Sequence, residues 1–200
     1  LEHINTVKYG DKLTGKTYAQ IQAETAYHEA GHAIVSHILM PQVKIEQITV
    51  EPRGKAFGFV AFDIEDDVKN LSFEDIKNQI CISFSGRTAE IYFQKSEGID
   101  TGAANDLKVA TNLAYNAVKN YGMSDIGYIN LESIETCGSK LNEKIDEEVL
   151  KILNEQKSRC ERLVNKNKDK IDALAKLLID KEVIDEDEFL KQVKGTDQDR

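Results

Sequence analysis

His28-Glu29-Ala30-Gly31-His32 is the stretch where residue type and spacing together specify a chemistry. On an α-helix, positions i and i+4 share one face a turn apart, so His28 and His32 can direct two imidazoles at the same ion. Glu29 falls beside that face. From there it can reach a water on the metal without ligating the metal itself, as a general base must. Two imidazoles leave a tetrahedral zinc short of one protein ligand, so a catalytic site needs a third ligand from elsewhere and an open fourth position for water. The competing reading is an ordinary helical pair of histidines, and three features weigh against it. The chain has four histidines, and two of them stand here. Gly31 costs a helix interior roughly 1 kcal/mol relative to alanine, which is understandable if another backbone or the metal shell needs the space. The flanking Ala19, Ile21, Ala26, Ala30, Ala33, Ile34, Val35, Ile38 and Leu39 describe a largely buried helix, and buried imidazoles need partners.

The elements that must position this pair follow from local pattern. The helix is expected from about Tyr18 to Leu39, with Pro41 barring extension. Val43, Ile45, Ile48 and Val50 suggest a strand, Glu51-Pro52-Arg53-Gly54 a turn, and Ala56 to Phe62 a second strand. Gly58 inside that strand marks close backbone approach, at a bulge or corner or at an edge that pairs with an extended peptide. Ser72-Phe73-Glu74-Asp75 has a capping pattern and opens a helix through Ile91, on which Ser83, Ser85, Gly86 and Ala89 are small enough to admit a neighbouring helix. Glu90 adjoins the apolar stripe of that helix, as a buried partner or a ligand. Thr101 to Leu107 reads as a cap and first turn of a helix to Tyr121, stopped by Gly122. Met123 to Cys137 reads as loop with a short strand at 127–131. Apolar stripes from Leu141 to Val164 and from Ile171 to Leu178 predict two long helices, and Asp185 to Glu188 caps a last one through Val193.

Composition bounds the function. A net charge of −9 over 200 residues argues against a nucleic-acid partner, which demands concentrated basic surface. No apolar run reaches the ~18 residues of a membrane span and no signal-peptide pattern opens the chain, so the chain reads as soluble and cytoplasmic in character. Cys81, Cys137 and Cys160 are odd in number and widely spaced, as reduced thiols would be. Gly10 to Thr17 satisfies the phosphate-loop pattern G-x-x-x-x-G-K-[ST] around Lys16, but the preceding segment is polar and the following helix is the one carrying His28. The match is read as coincidence within a flexible leader over 1–17. The division expected is a zinc-binding catalytic part over 18–138, a C-terminal helical part of the same domain over 139–194, and a polar tail over 195–200.

Local reading leaves the third ligand open. His37 lies about 140° round the helix from His32 and cannot share the ion. A metzincin continuation would need Gly and His where Val35 and Ile38 stand. The carboxylates Glu46, Glu51, Glu90 and Asp106 remain.

Five motifs occur in the order and approximate spacing of one family: Tyr27 to Ala33, Pro52 to Gly58, Ser85 to Glu90, Thr101 to Leu107, and Tyr121 to Ser124. Together with Glu182 to Phe189 they resemble the protease domain of FtsH-type ATP-dependent zinc metalloproteases, over about residues 18–193. The sequence departs from that family at Ile91, where a second acid is usual, and at Gln94, where glycine is. The resemblance implies a mainly α metalloprotease domain with a small β-sheet next to the H-E-x-x-H helix and a C-terminal helical bundle. It implies zinc held by His28, His32 and Asp106, Glu29 as general base, and substrate along Gly58, Phe59 and Val60. Position alone makes Glu90 a candidate to support an imidazole. The resemblance further implies a larger, membrane-anchored, hexameric protein. Its AAA ATPase module in cis would use ATP to unfold substrates, membrane proteins among them, with this domain facing the cytoplasm. A zinc-bearing but inactive scaffold and, further off, a nucleotide-binding module on Lys16 are the rival classes.

Overall fold

The computed structural model describes residues 18–51, 57–63, 70–94, 101–131 and 138–198. The Lys16 loop, Pro52 to Gly54 of the predicted turn, and Cys137 lie outside them. Helix α1 spans Tyr18–Leu39, strand β1 Lys44–Thr49, strand β2 Phe59–Asp63 and helix α2 Phe73–Gln94. Helices α3, α4 and α5 span Ala104–Lys119, Ser139–Lys166 and Lys168–Lys181, followed by strand β3, Val183–Asp185, and helix α6, Glu186–Gln198. Among the described residues the chain is mainly α, as the resemblance implied, with a three-stranded antiparallel sheet ordered β2-β1-β3.

Two compact units account for these elements. The first comprises α1, β1, β2, the part of α2 from Ser85, and the chain from Leu163 onward with α5, β3 and α6. Its core is built from the buried face of α1 (Ala26, Ala30, Ala33, Ile34), the inner residues of the sheet (Ile45, Ile48, Ile184) and Ile171, Leu174, Leu178 and Phe189. α1 packs on α5 and lies against β1 and β2, so the sheet does adjoin the histidine helix. Tyr27 donates a 2.8 Å hydrogen bond to Asp172 Oδ1 of α5 and stacks on Phe93 at 4.6 Å, fixing α1 one residue before His28.

The second unit holds α2 up to Phe84, α3, and α4 up to Arg162. Its core is aliphatic: Ile76 and Ile80 of α2, Ala110, Ala114 and Val118 of α3, and Ile145, Val149 and Ile152 of α4. Cys81 and Cys160 are buried free thiols in this unit. Hydrogen bonding to Cys160, together with burial, pushes the Cys81 thiol far up, which makes it unreactive.

Local chemistry explains most boundaries. At the start of α2 the predicted box forms: the Ser72 backbone N–H and hydroxyl both donate to Asp75 Oδ2, at 2.9 and 2.6 Å, and the Asp75 N–H donates to Ser72 Oγ at 3.1 Å. The Glu188 N–H donates to Asp185 Oδ1 at 2.9 Å, capping α6. Elsewhere the structure corrects the sequence reading. β2 begins at Phe59, not Ala56, so Gly58 stands just ahead of the strand. α3 ends at Lys119, short of Tyr121, although Gly122 takes the left-handed conformation of a stop, with φ of 61°. The strand expected at 127–131 does not form. Gly127 has φ of 111°, and the Leu131 N–H donates back to Lys119 O at 2.7 Å, so the segment turns instead of extending. β3 escaped notice because three residues are too few to show alternation. α6 runs on to Gln198.

Candidate metal centre

Because His28 and His32 are one helical turn apart on α1, their rings meet edge to face, with centroids 4.6 Å apart and Nε2 atoms 3.0 Å apart. Each ring is held from behind by α2. The Nδ1 of His28 donates to Glu90 Oε1 at 2.6 Å, and the other oxygen of Glu90 lies 3.3 Å from Arg87 Nε. The Nδ1 of His32 lies 3.2 Å from Ser85 Oγ. A carboxylate beside an arginine only accepts, so the hydrogen of His28 sits on Nδ1 and its Nε2 presents a lone pair.

Two glycines make this proximity possible. A Cβ on Gly31 would lie 2.6 Å from Ser85 O and 2.8 Å from Ala89 Cβ. The glycine inside α1 is therefore there for another backbone. A Cβ on Gly86 would lie 2.6 Å from Nε2 of both histidines, so its missing side chain is the space the imidazoles occupy. A Cβ on Gly58 would lie 2.5 Å from Thr25 Cγ2, 2.7 Å from Thr49 O and 3.1 Å from Glu29 Cγ. Close approach at Gly58 is thus approach to the backbone of β1 and to side chains of α1. It brings the start of β2 against Glu29, which is 7% exposed.

Asp106 stands in the first turn of α3, part-buried, where a carboxylate also complements the helix dipole. Among the described residues, the group able to hold a metal ion is His28, His32 and Asp106, whose ligand atoms all lie within 4.8 Å of one another. Two imidazole nitrogens and one carboxylate oxygen are a donor set that suits zinc with three protein ligands. The other carboxylates left open by sequence are not in that group. Glu46 is exposed at the irregularity in β1, Glu51 follows that strand, and Glu90 faces the far nitrogen of His28. His37 sits edge-on to Phe189 at 5.4 Å, and burial, with Lys170 nearby, holds its pKa below the usual histidine value.

Sequence reading treated Ser85 and Gly86 only as small residues at a helix contact and gave Arg87 no role at the site. Their place one turn before Glu90 on the same helix was the available signal.

The sequence pattern of peptidase family M41 matches residues 17–192. The chain belongs to that family. Among its relatives, an ATP-dependent zinc metalloprotease FtsH 2 of Thermoanaerobacter sp. (strain X514) is 40% identical over 167 residues, covering 82% of this chain and 31% of the relative. ATP-dependent zinc metalloprotease FtsH of Buchnera aphidicola subsp. Schizaphis graminum is 33% identical over 194 residues, 90% of this chain and 32% of its own length. ATP-dependent zinc metalloprotease FTSH 9, chloroplastic/mitochondrial, of Oryza sativa subsp. japonica is 37% identical over 170 residues, 84% of this chain and 21% of its own. The chain thus spans a third or less of these relatives. The family that the chain belongs to is a peptidase family, and these relatives are named as ATP-dependent zinc metalloproteases. Among the described residues no helix is long and apolar enough to cross a membrane.

Proposed function

We propose that this chain is the proteolytic part of an ATP-dependent protease, with zinc held by His28, His32 and Asp106 and with Glu29 as general base. The observation that carries the reading is the meeting of those three ligand atoms within 4.8 Å. When bound, zinc supplies Lewis acidity, making a water acidic near pH ~7 and drawing electron density from the scissile carbonyl. Glu29 takes the proton of that water on its carboxylate and delivers it to the leaving amine. Glu90 fixes the tautomer of His28 and raises its basicity as a ligand. Substrate lies along Gly58, Phe59 and Val60. What supports this is the strand order, in which β2 is an edge among the described strands, so its outer backbone groups can pair with an extended peptide.

The full-length protein, by the names of its relatives, couples this domain to ATP. We place an ATPase module in cis, a hexameric assembly and a membrane anchor in the same proposal, with unfolded or membrane proteins as substrates. Glu29→Gln tests the chemistry: zinc content should be unchanged, while hydrolysis of an unfolded polypeptide should fall by about 10²–10⁴-fold. Retained hydrolysis would remove Glu29 from its role, and a wild-type chain that binds zinc without turnover would be a scaffold. Rapid ATP-free digestion of a stably folded protein would contradict dependence on a separate unfolding module.

A further inference from the structure

Two ion pairs on α2 share one spacing and differ in surroundings. Lys77 Nζ lies 2.6 Å from Glu74 Oε2, and the carboxylate of Glu74 is open to water. Arg87 Nε lies 3.3 Å from Glu90 Oε2, and both side chains are nearly closed off from solvent. An exposed pair three residues apart on a helix contributes little, because water screens it. A buried carboxylate is costly unless a positive group stands beside it. The pair at Arg87 is therefore the one on which something else can depend.

The two oxygens of Glu90 face different neighbours. Oε1 lies 2.6 Å from His28 Nδ1 on α1, whereas Oε2 faces Arg87, about one turn earlier on α2. The last torsion of a glutamate side chain is broad, so the contact to His28 alone leaves the carboxylate free to turn about it. A second contact on the other oxygen removes that freedom. Among the described residues no donor forms a directed hydrogen bond to Oε2, so the guanidinium acts on it as a charge.

We propose that Arg87 is a positioning residue for the metal centre, its positive charge holding the Glu90 carboxylate in the orientation that supports His28. It acts through Glu90 and not on the ion. Charge at position 87 then matters more than the fork of donors that arginine carries, so lysine can replace it and glutamine cannot. The inference rests on the zinc reading of the site.

The test is zinc affinity by chelator competition for wild type, Arg87→Gln, Arg87→Lys, Glu90→Gln and the double variant Arg87→Gln with Glu90→Gln. Lys77→Gln serves as the control pair, and circular dichroism reports the fold. Arg87→Gln should bind zinc about 10-fold more weakly, while Arg87→Lys and Lys77→Gln should stay close to wild type. Once Glu90→Gln is present, Arg87→Gln should cost nothing further, since residues acting through one contact are not additive. An Arg87→Gln variant that binds zinc as tightly as wild type overturns the inference. So does an equal loss in both backgrounds, which a merely structural role would give, and so does an Arg87→Lys variant as weak as Arg87→Gln. Arg87→Met takes the place of Arg87→Gln if that variant does not fold, and if neither folds the role is structural and the inference falls. A wild type whose zinc affinity is unchanged by His28→Ala overturns the reading of the site and this inference with it.

Discussion

The two halves of α2 are packed by opposite means. Up to Phe84 the helix contributes Ile76 and Ile80 to a core of branched aliphatic side chains shared with α3 and α4. From Ser85 it offers Ser85, Gly86 and Ala89 to α1, and the side chains in the gap are the imidazoles themselves. The first arrangement buries apolar area, at about 25 cal/mol per Å², and stabilises. The second gives up that area so that two polar rings can stand close together. One helix thus carries a stability region and a site region, separated by a few residues.

Substitutions of opposite size at the two ends separate these roles. The largest effect is expected at Gly86→Ala. The new Cβ would fall 2.6 Å from the ring nitrogens, and ring ends of side chains move more cheaply than backbone. The protein should therefore fold, and its zinc affinity should drop by more than about 100-fold, beyond the usual cost of losing a supporting partner. Chelator competition together with circular dichroism reads both quantities, and a variant that keeps zinc would erase the contrast. Ile80→Ala should do the reverse, costing about 2–5 kcal/mol in urea unfolding through the cavity it leaves. The folded fraction should still bind one zinc. Loss of metal there would mean that the aliphatic core also shapes the site.

Smaller changes sharpen the comparison. Tyr27→Phe keeps the stack on Phe93 but removes the bond to Asp172, at a cost of about 1.5 kcal/mol. Burial, with the Asp172 carboxylate as acceptor, pushes the Tyr27 hydroxyl up to about 12. The unfolded phenol loses its proton near pH ~10 while the folded one keeps it, so this contribution is full below about pH 10 and disappears as pH rises toward 12. The gap between wild type and Tyr27→Phe in alkaline unfolding should close over that window. Ser72→Ala should cost about 1 kcal/mol through the lost cap. Hydrogen bonds from Ser72 hold the Asp75 carboxyl below its ordinary range. The stability they give is present above the unfolded carboxylate pKa of about 4 and is lost as pH falls through the folded value. A Ser72→Ala gap that persisted at acid pH would assign it instead to the bond from the Asp75 N–H to Ser72 Oγ, which does not titrate.

The sequence by itself determined whatever repeats within a turn or two of chain. The bounds of α1, the box at Ser72 and Asp75, the cap at Asp185, and the face shared by His28 and His32 all follow from 3.6-residue periodicity and from side chains bonding their own backbone. It failed where those signals are weak, as at three-residue β3 or at the apolar stretch 127–131, whose fate was decided by Gly127 and by a hydrogen bond to Lys119. Among Glu46, Glu51, Glu90 and Asp106, periodicity had no preference, since each lies on a different segment from the histidines. Only tertiary structure decided that Glu90 and Ser85 back the two rings, that Gly86 leaves the room they fill, and that Gly58 seats the strand against Glu29. A spacing along the chain fixes directions within one helix, whereas the distance between two segments depends on the packing of every side chain between them.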